Sequence, residues 1–511
     1  MKKYNLLSSI GFILLAGILT SCNDYLKESS DDLLIPKKVD EFESVLLGDG
    51  YPNTLTEDVE WMDLMTDDAE VSRSANPSST QSDGDDNVYL PVGRGAFTWA
   101  QDIEYYDTSY GKTYLNRYKN IMACNIIIEN ANTMAGDSME VNSCVAQAYA
   151  LRAMNYLYLV NWYGLPYNPA TADKDMGVII RLESEMVRDQ PQRSTVAQVY
   201  GQIISDLDNA SARFKKAKKS TNVYLMNEKA VDLLKCRVAL YTQNWDDVIK
   251  YGSAFSEDDF NLCDISALTK EQMEHKKEYV FLKAKNPEVV FMFGGRAFTR
   301  QSYMDNLILI NGAAYAPSQT EEGDLINSYQ DGDNRIYAFF CQDNIDYDSA
   351  LNYYSTYEDY RHLPYKHYST SEYSQALRTS EALLNMAEAY VQTGKMANAV
   401  DLMNLMHKKR FTADSYKELS VNDFASNEAL LEYVRDERRR ELCFEETHRW
   451  NDLRRYGMPR IEHRFYASKN STPEIFVLEQ GDKNYTLELP QSELGYNRVV
   501  ERMNRRSIKP Q

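Results

Sequence analysis

Residues 380–410 read SEALLNMAEAYVQTGKMANAVDLMNLMHKKR, and this stretch decides how the chain folds. It holds two segments with a helical spacing of apolar residues, separated by Gly394. Small residues at Ala387 and Ala399 let two helices approach closely, and the glycine makes room at the bend. The stretch therefore predicts a hairpin of two packed helices.

The same stretch carries the relative spacing of a tetratricopeptide repeat. The matching positions are Ala387, Tyr390, Gly394 and Ala399. A partial second copy lies near Trp245, at Ala239, Gln243 and Val248. About 150 residues separate the two copies, so the repeat is degenerate and interrupted.

Two further helical hairpins are predicted upstream. The first hairpin has one helix on either side of a turn at Gly136. The first helix has a face made of Tyr114, Tyr118, Ile121 and Asn125, and the second has a face made of Ala146, Ala150, Ala153 and Leu157. The second hairpin begins with a capping box at Thr195 and Gln198, runs to about Phe214, and pairs with a helix through Ala230 and Tyr241.

The remaining segments differ in kind. A strand-like run, Val289–Phe293, precedes Gly-, Asn- and Asp-rich loops up to Ser374, and loops that long in a folded body are usually functional. We predict a mostly helical, all-α fold with long loops and minor β-structure. The predicted organisation is 1–21 as signal peptide and 22–511 as one body, divided into a lead with loops (22–112), helical hairpins (113–256), a loop-rich ligand-side insertion (257–376) and C-terminal repeat-like helices (377–511).

Composition restricts the function classes. Of 511 residues 43% are hydrophobic and 26% charged, which excludes a chain disordered throughout. The net charge of −20 repels phosphate and argues against nucleic acid as a partner. Tyrosine accounts for 38 residues, beside 17 Phe and 5 Trp, and suits surfaces that hold amphiphilic ligands or, equally, half-buried packing between helices. The six cysteines after Cys22 show no close pairing and predict buried small side chains rather than a disulfide scaffold.

The N-terminus predicts export and lipidation. Lys2 and Lys3 precede an apolar run, Leu6–Leu19, that is too short to span a bilayer as a helix. The run ends in Leu-Thr-Ser-Cys at residues 19–22, which resembles the bacterial lipobox. Cys22 is therefore the predicted lipidation site, and more than one acyl chain there would give stable membrane attachment.

Several blocks in sequence order resemble the SusD/RagB family of nutrient-uptake lipoproteins. They are Cys22–Leu26; Leu151–Ala153 with Tyr156 and Tyr163–Pro166; Arg193, Tyr200 and Asp206–Leu207; Leu377–Arg378 with Glu381 and Ala387–Ala389; and Glu437–Arg439, Glu441–Leu442, Phe444–Glu445 and Arg449–Leu453. The resemblance implies a SusD-like body of tetratricopeptide-like hairpins at the outer membrane. It further implies a TonB-dependent, SusC-like porin as partner and delivery of a glycan, or in some branches a peptide, to that porin.

The last block departs from the family pattern. Glycine usually follows the Phe-Glu pair, whereas this chain has Glu446, Thr447 and His448, so we expect a different local turn. From spacing alone, Glu441, Glu445 and Arg449 fall at i, i+4 and i+8. We predict that these charges lie on one helix face and form a partly buried, structural network.

No catalytic or metal motif is found in the sequence. Gly-x-Ser-x-Gly and His-Glu-x-x-His are both missing. His362 and His367 are spaced too far apart for adjacent turns of a helix, and the Asp83 loop lacks the glycine and glutamate of a calcium loop. We therefore expect no enzyme activity and no cofactor, with a non-standard calcium site near Asp331 and Asp333 left open.

Aromatic residues in loops point to ligand binding, because sugars pair apolar C–H faces with a polar rim. One window contains Trp99, Tyr105, Tyr106 and Tyr110, beside Asp102 and Glu104. The other holds eight tyrosines from Tyr347 to Tyr373, including Tyr353, Tyr354, Tyr357 and Tyr360. The alternative is that these rings pack loops onto the body or face the porin.

These features favour a non-catalytic, surface-anchored glycan-binding lipoprotein that works with an outer-membrane porin. A peptide-binding member of the same family fits the sequence equally well. A tetratricopeptide scaffold for protein partners is the third reading. It would place its aromatic residues along concave helix faces rather than in loops.

Overall fold

The computed structural model describes residues 36–72, 89–185, 190–274, 281–296, 314–342, 362–364, 373–467 and 471–511. Its helices are α1 Val39–Val45, α2 Leu55–Asp63, α3 Tyr89–Phe97, α4 Ser109–Glu129, α5 Ser138–Tyr163, α6 Val196–Phe214, α7 Glu228–Tyr241, α8 Trp245–Gly252, α9 Lys270–Glu274, α10 Arg335–Phe339, α11 Thr379–Gln392, α12 Met396–Arg410, α13 Asn427–Leu442, α14 His448–Arg455 and α15 Gln491–Tyr496. The strands are β1 Ala69–Ser72, β2 Val289–Arg296, β3 Ala314–Pro317, β4 Phe340–Gln342, β5 His362–Pro364, β6 Tyr373–Arg378, β7 Ile461–Phe465 and β8 Glu474–Leu478. The prediction of a mostly α-helical fold with minor β-structure is confirmed.

The two upstream hairpins form as predicted. Helix α5 begins after Asp137, whose carboxylate accepts from the Met139 and Glu140 amides, and most of its side chains are buried against α4 and α6. The capping box of α6 is present, since Thr195 and Gln198 exchange side chain to backbone bonds. Cys124, Cys144 and Cys236 are buried thiols that form no disulfide, in agreement with the sequence prediction.

The hairpin of α11 and α12 also forms, but Gly394 has a different role from the predicted one. Its φ is +73°, and a Cβ built there would meet nothing within 4 Å. The position therefore requires glycine for its left-handed backbone and not for space. Close approach occurs instead at Gly252, where an added Cβ would come 2.4 Å from Met386 of α11.

The strands form four two-stranded antiparallel ladders among the described residues: β1 with β3, β2 with β6, β4 with β5, and β7 with β8. The β1–β3 ladder joins the interrupting segment to the N-terminal lead, the β2–β6 ladder joins the two ends of that segment, and the β4–β5 ladder lies within it. Arg378, the last residue of β6, pairs with Val289 at the start of β2, and α11 follows directly. The ladders therefore fix where the loops leave the core.

The C-terminal charges do form a buried network, but not on one helix face. That part of the prediction is wrong because α13 ends at Leu442 and α14 begins only at His448. The residues Phe444, Glu446 and Thr447 between them have positive φ values of 55°, 47° and 63°. The chain turns sharply there, so helical spacing does not continue through it.

Arg378 lies at the centre of this network. Its guanidinium is 2.6 Å from Glu288, 2.9 Å from Glu441 and 2.8 Å from Glu445, and the residue is 1% exposed. Burial on its own lowers the pKa of Arg378, but these three carboxylates raise it well above the usual value. Arg410 shares Glu288 and Glu441, so helices α12 and α13 are joined to the β2–β6 ladder through charge pairs.

Glu446 stands where the family pattern has glycine. Despite its left-handed backbone, its carboxylate accepts from the Arg237 guanidinium at 2.8 Å and from the Tyr158 hydroxyl at 2.8 Å. Arg237 also pairs with Glu381 at 2.6 Å. The unfavourable backbone conformation at Glu446 is thus accompanied by a buried ion pair that links α7, α11 and the turn before α14.

Candidate ligand-binding surface

The loops of the interrupting segment attach at the ends of the described ladders. Ser72 pairs with Ala314, Gln342 with His362, and Arg296 with Tyr373, and each pair ends its ladder. The predicted ligand residues Tyr353, Tyr354, Tyr357 and Tyr360 lie between β4 and β5, outside the described residues. Their role in ligand binding stays a prediction.

Trp99 lies in the core. Its indole N–H donates to the Met65 carbonyl at 2.8 Å, and its ring stacks on His463 with centroids 4.3 Å apart. The other face of His463 stacks on Phe97 at 4.1 Å. Burial lowers the pKa of His463 to about 4, against the opposing effect of the Phe97 and Thr66 carbonyls. Trp99 is 0% exposed, so it offers a ligand no free ring face.

Tyr105 and Tyr106, from the same window, are on the surface. Tyr105 is 82% exposed and Tyr106 38%, and their rings meet edge to face with centroids 5.2 Å apart. The backbone of this turn is fixed by a bond from the Tyr105 amide to Asp102. A Cβ built on Gly95 of α3 would lie 2.7–2.9 Å from Tyr106, so the ring rests directly on glycine backbone.

The structure adds a pair of rings that the sequence did not indicate. Tyr224, in the turn between α6 and α7, is 38% exposed and meets Tyr373 edge to face, with centroids 5.7 Å apart. Tyr373 was predicted only as the last tyrosine of the second window. An aromatic residue at the end of the polar, lysine-rich stretch 215–224 is the signal that could have identified Tyr224.

The other tyrosines of the first helices are packing residues. Tyr110, Tyr114 and Tyr163 are 3%, 2% and 0% exposed, and the first two each contact the Tyr163 ring edge to face. For these three the packing interpretation of tyrosine holds. Exposure therefore separates Tyr105 and Tyr106 from the neighbouring Tyr110.

A cleft of about 540 Å³ lies between β1, β7, α13 and α14. Its charges are largely used within the protein: Asp67 binds Arg449 at 2.6 Å, and Glu321 binds Arg464 at 2.6 Å. The faces of Tyr456 are in contact with guanidinium groups, Arg435 at 4.0 Å and Arg455 at 4.3 Å. Internal charge pairs therefore account for much of this cleft, and its Tyr456 ring is already in contact with arginine side chains.

The carboxylates and histidines of the described residues can be compared with the requirements of a metal site. No group of three His, Cys, Asp or Glu side chains is arranged to hold a metal ion there. The Asp333 carboxylate, one of the two groups in the open calcium hypothesis, binds the Arg335 guanidinium at 2.7 Å. Asp331 is exposed. Among the described helices, none combines the length and apolar character needed to cross a bilayer.

Comparison with known proteins gives matches along most of the chain. The family model described as "SusD family" matches residues 276–507, and the one described as "Starch-binding associating with outer membrane" matches residues 24–240. A SusD-like protein P2 of Formosa agariphila is 24% identical and is matched over 97% of this chain and 98% of its own length.

Solved structures with the same fold include a SusD-like carbohydrate-binding protein of Bacteroides vulgatus, with a TM-score of 0.65, 17% identity, and 92% of this chain and 98% of that one covered. A SusD superfamily protein of Bacteroides fragilis has a TM-score of 0.63 and 22% identity, covering 91% and 99%. At these identities the structural likeness establishes the fold.

Proposed function

Because this chain belongs to the SusD/RagB-like family, we propose that it is a non-catalytic glycan-binding lipoprotein of the outer membrane. It is anchored through Cys22, exposed at the cell surface, and delivers its glycan to a TonB-dependent, SusC-like porin. The family model described as starch-binding and the carbohydrate-binding structural relative support this proposal.

The exposed pair of Tyr105 and Tyr106 is the observation that carries the proposal. Two perpendicular rings on a fixed turn offer a flat apolar face and an adjacent edge, and the Asp102 carboxylate belongs to the same turn. A pyranose ring matches this arrangement because its C–H face packs on an aromatic ring while its hydroxyls bond to the polar rim. Tyr353, Tyr354, Tyr357 and Tyr360 are proposed to extend the same type of surface.

The placement of aromatic residues disfavours a pure protein scaffold. The large aromatic side chains on the long helices α4 and α5 are mostly buried, as Tyr156, Trp162 and Tyr163 show. Among the described residues, the exposed tyrosines Tyr105, Tyr106 and Tyr224 lie in turns, and Tyr496 is the last residue of the short helix α15. Rings of this kind also suit a peptide, which is therefore included in the test as an alternative ligand.

The Tyr105→Ala/Tyr106→Ala variant tests the site. We expect its Kd for the glycan selected from an array by the soluble body, residues 23–511, to rise about tenfold or more, because two exposed aromatic contacts are lost. Isothermal titration of both proteins measures the effect. Tyr496→Ala removes another exposed tyrosine, 57% accessible, and serves as the control. An unchanged Kd in the double variant would place the site elsewhere, and selection of peptides only would favour the alternative ligand.

A second test concerns the anchor and the partner. The wild-type protein is expected to fractionate with the outer membrane, to carry acyl chains on Cys22, and to co-purify with a large TonB-dependent porin. Cys22→Ala is expected to lose both the acyl mass and membrane retention, because one thiol carries the lipid. Mass spectrometry of detergent extracts of the membrane measures both the acyl mass on Cys22 and the amount of protein retained there. Recovery of an unlipidated monomer from native outer membranes, without porin, would refute the proposal.

A further inference from the structure

We propose that the protein has a binding surface for an acidic saccharide at the turn between α6 and α7, formed by Tyr224, Tyr373 and the lysines Lys216, Lys218 and Lys219. The ligand class is a pyranose that carries a carboxylate or a sulfate. The inference rests on the proposed glycan-binding function and adds to it the charge of the glycan. It concerns residues apart from the Tyr105 and Tyr106 pair.

Hydrogen bonds to strand β2 hold the turn that carries Tyr224 in a fixed position. The turn is held to the edge of β2, because the Met292 amide donates to the Val223 carbonyl at 2.7 Å and the Asn227 side chain donates to the Val290 carbonyl at 2.8 Å. The Tyr224 amide itself donates to the Asn222 side chain at 3.0 Å. Tyr224 is thus presented from an ordered turn, which lowers the entropy cost of binding.

Tyr224 and Tyr373 form an aromatic pair that joins two distant parts of the chain. Tyr224 comes from the α6–α7 turn and Tyr373 from the first residue of β6, about 150 residues later. They meet edge to face at 5.7 Å, while Tyr224 keeps 38% of its surface accessible. Tyr373 closes the ladder opposite Arg296, where loops of the interrupting segment begin. The pair therefore presents an aromatic rim at the same kind of place as the predicted ligand loops.

The segment that precedes Tyr224 in the chain is strongly basic. Residues 215–219 read KKAKK in a chain whose net charge is −20. Lysines are favoured at a helix C-terminus, and this explains Lys215 and Lys216 at the end of α6. Lys218 and Lys219 lie beyond the helix and are exposed, so the dipole does not account for them. No ion pair joins Lys216, Lys218 or Lys219 to a carboxylate within the described ranges.

The neighbouring carboxylates are largely committed elsewhere. On α7, burial raises the pKa of the Asp232 carboxyl, and the charge of Lys235, with a smaller contribution from Lys215, acts in the opposite direction. Asp208 of α6 binds Lys235 at 2.8 Å. A surplus of positive charge therefore remains in residues 215–219, a short distance before Tyr224 along the chain. The five residues from Lys219 to Tyr224 span at most about 18 Å, which an oligosaccharide of several rings can bridge.

An acidic saccharide is a single ligand that can contact both the aromatic pair and the lysines. Its ring C–H face packs on Tyr224, and its carboxylate or sulfate meets the ammonium groups. Lysine binds such anions as a point charge without a fixed fork geometry, so uronates and sulfated sugars are both recognised. Neutral sugars would gain the aromatic contact alone.

The test uses the soluble body, residues 23–511, with an acidic oligosaccharide series: a polyuronate, a sulfated glycan, and a neutral glycan of matched length. We expect at least one acidic series to bind, with Kd rising about tenfold for Tyr224→Ala. For the triple variant Lys216→Gln/Lys218→Gln/Lys219→Gln we expect about a tenfold rise for acidic ligands and less than about twofold for the neutral one. Raising NaCl from about 0.05 to about 0.5 M should weaken acidic binding to the wild type and affect the triple variant much less.

Matched controls separate the site from general effects of charge or folding. Lys395→Gln/Lys408→Gln/Lys417→Gln removes the same charge from exposed lysines elsewhere and should leave Kd unchanged. Thermal melts confirm that each variant is folded. An acidic glycan whose Kd is unaffected by Tyr224→Ala and by the lysine triple, or binding of neutral glycans only, would overturn this inference while leaving the proposed function standing. Binding of no glycan at all would overturn both.

Discussion

Replacing Arg378 by methionine is expected to lower the free energy of unfolding by about 3–5 kcal/mol, because it leaves buried carboxylates without their shared cation. Glu445 loses two bonds from the same guanidinium, at 3.0 and 2.8 Å, while Glu288 and Glu441 keep Arg410. Urea denaturation of the soluble body, followed by circular dichroism, measures the change.

Two further variants make this prediction specific. Arg378→Met/Glu445→Gln also neutralises the carboxylate that loses both bonds from Arg378, so it should recover part of the lost stability. Arg464→Met removes an arginine that is 46% exposed in its side chain, and its loss should stay within about 1 kcal/mol. A loss below about 1 kcal/mol for Arg378→Met would show that the network contributes little to stability.

Trp99→Ala is expected to destabilise the fold by about 3–5 kcal/mol, because it empties a fully buried site. The substitution also removes the hydrogen bond to Met65 and the stacking contact with His463. In the folded fraction, glycan affinity should be unchanged. Thermal unfolding gives the loss of stability, and titration of the same sample gives the glycan affinity.

Tyr105→Ala is expected to have the opposite effects on stability and on binding. That ring is 82% exposed, so its removal should change the free energy of unfolding by no more than about 0.5 kcal/mol and should weaken binding. A Trp99 variant that stays fully stable but loses glycan affinity would reverse the assignment and return Trp99 to the ligand surface.

The helical hairpins were predictable because their signals are local. The capping box of Thr195 and Gln198 and the apolar periodicity of α4 and α5 involve residues within a few turns of each other. The family membership was also readable from short blocks in order. Even there the reason for Gly394 was missed, since its positive φ is a backbone property that spacing alone does not reveal.

The functional surface could be predicted only in part. Composition identified both tyrosine windows, yet it gave Trp99, Tyr105 and Tyr110 the same standing. Their exposures of 0%, 82% and 3% depend on what packs over each ring, and the partners of Trp99 include His463, more than 360 residues away. Burial is decided by such distant neighbours, which local composition does not specify.

The sequence alone predicted the helical hairpins, an export and lipidation signal ending at Cys22, and the resemblance to SusD-like proteins, because each prediction depends on residues close together in the chain. Tertiary structure alone decided which rings face solvent, that Tyr224 meets Tyr373, and that Arg378 joins Glu288, Glu441 and Glu445. The physical reason is that exposure and charge pairing are set by distances in space, which helical spacing predicts only as far as the next turn of the chain.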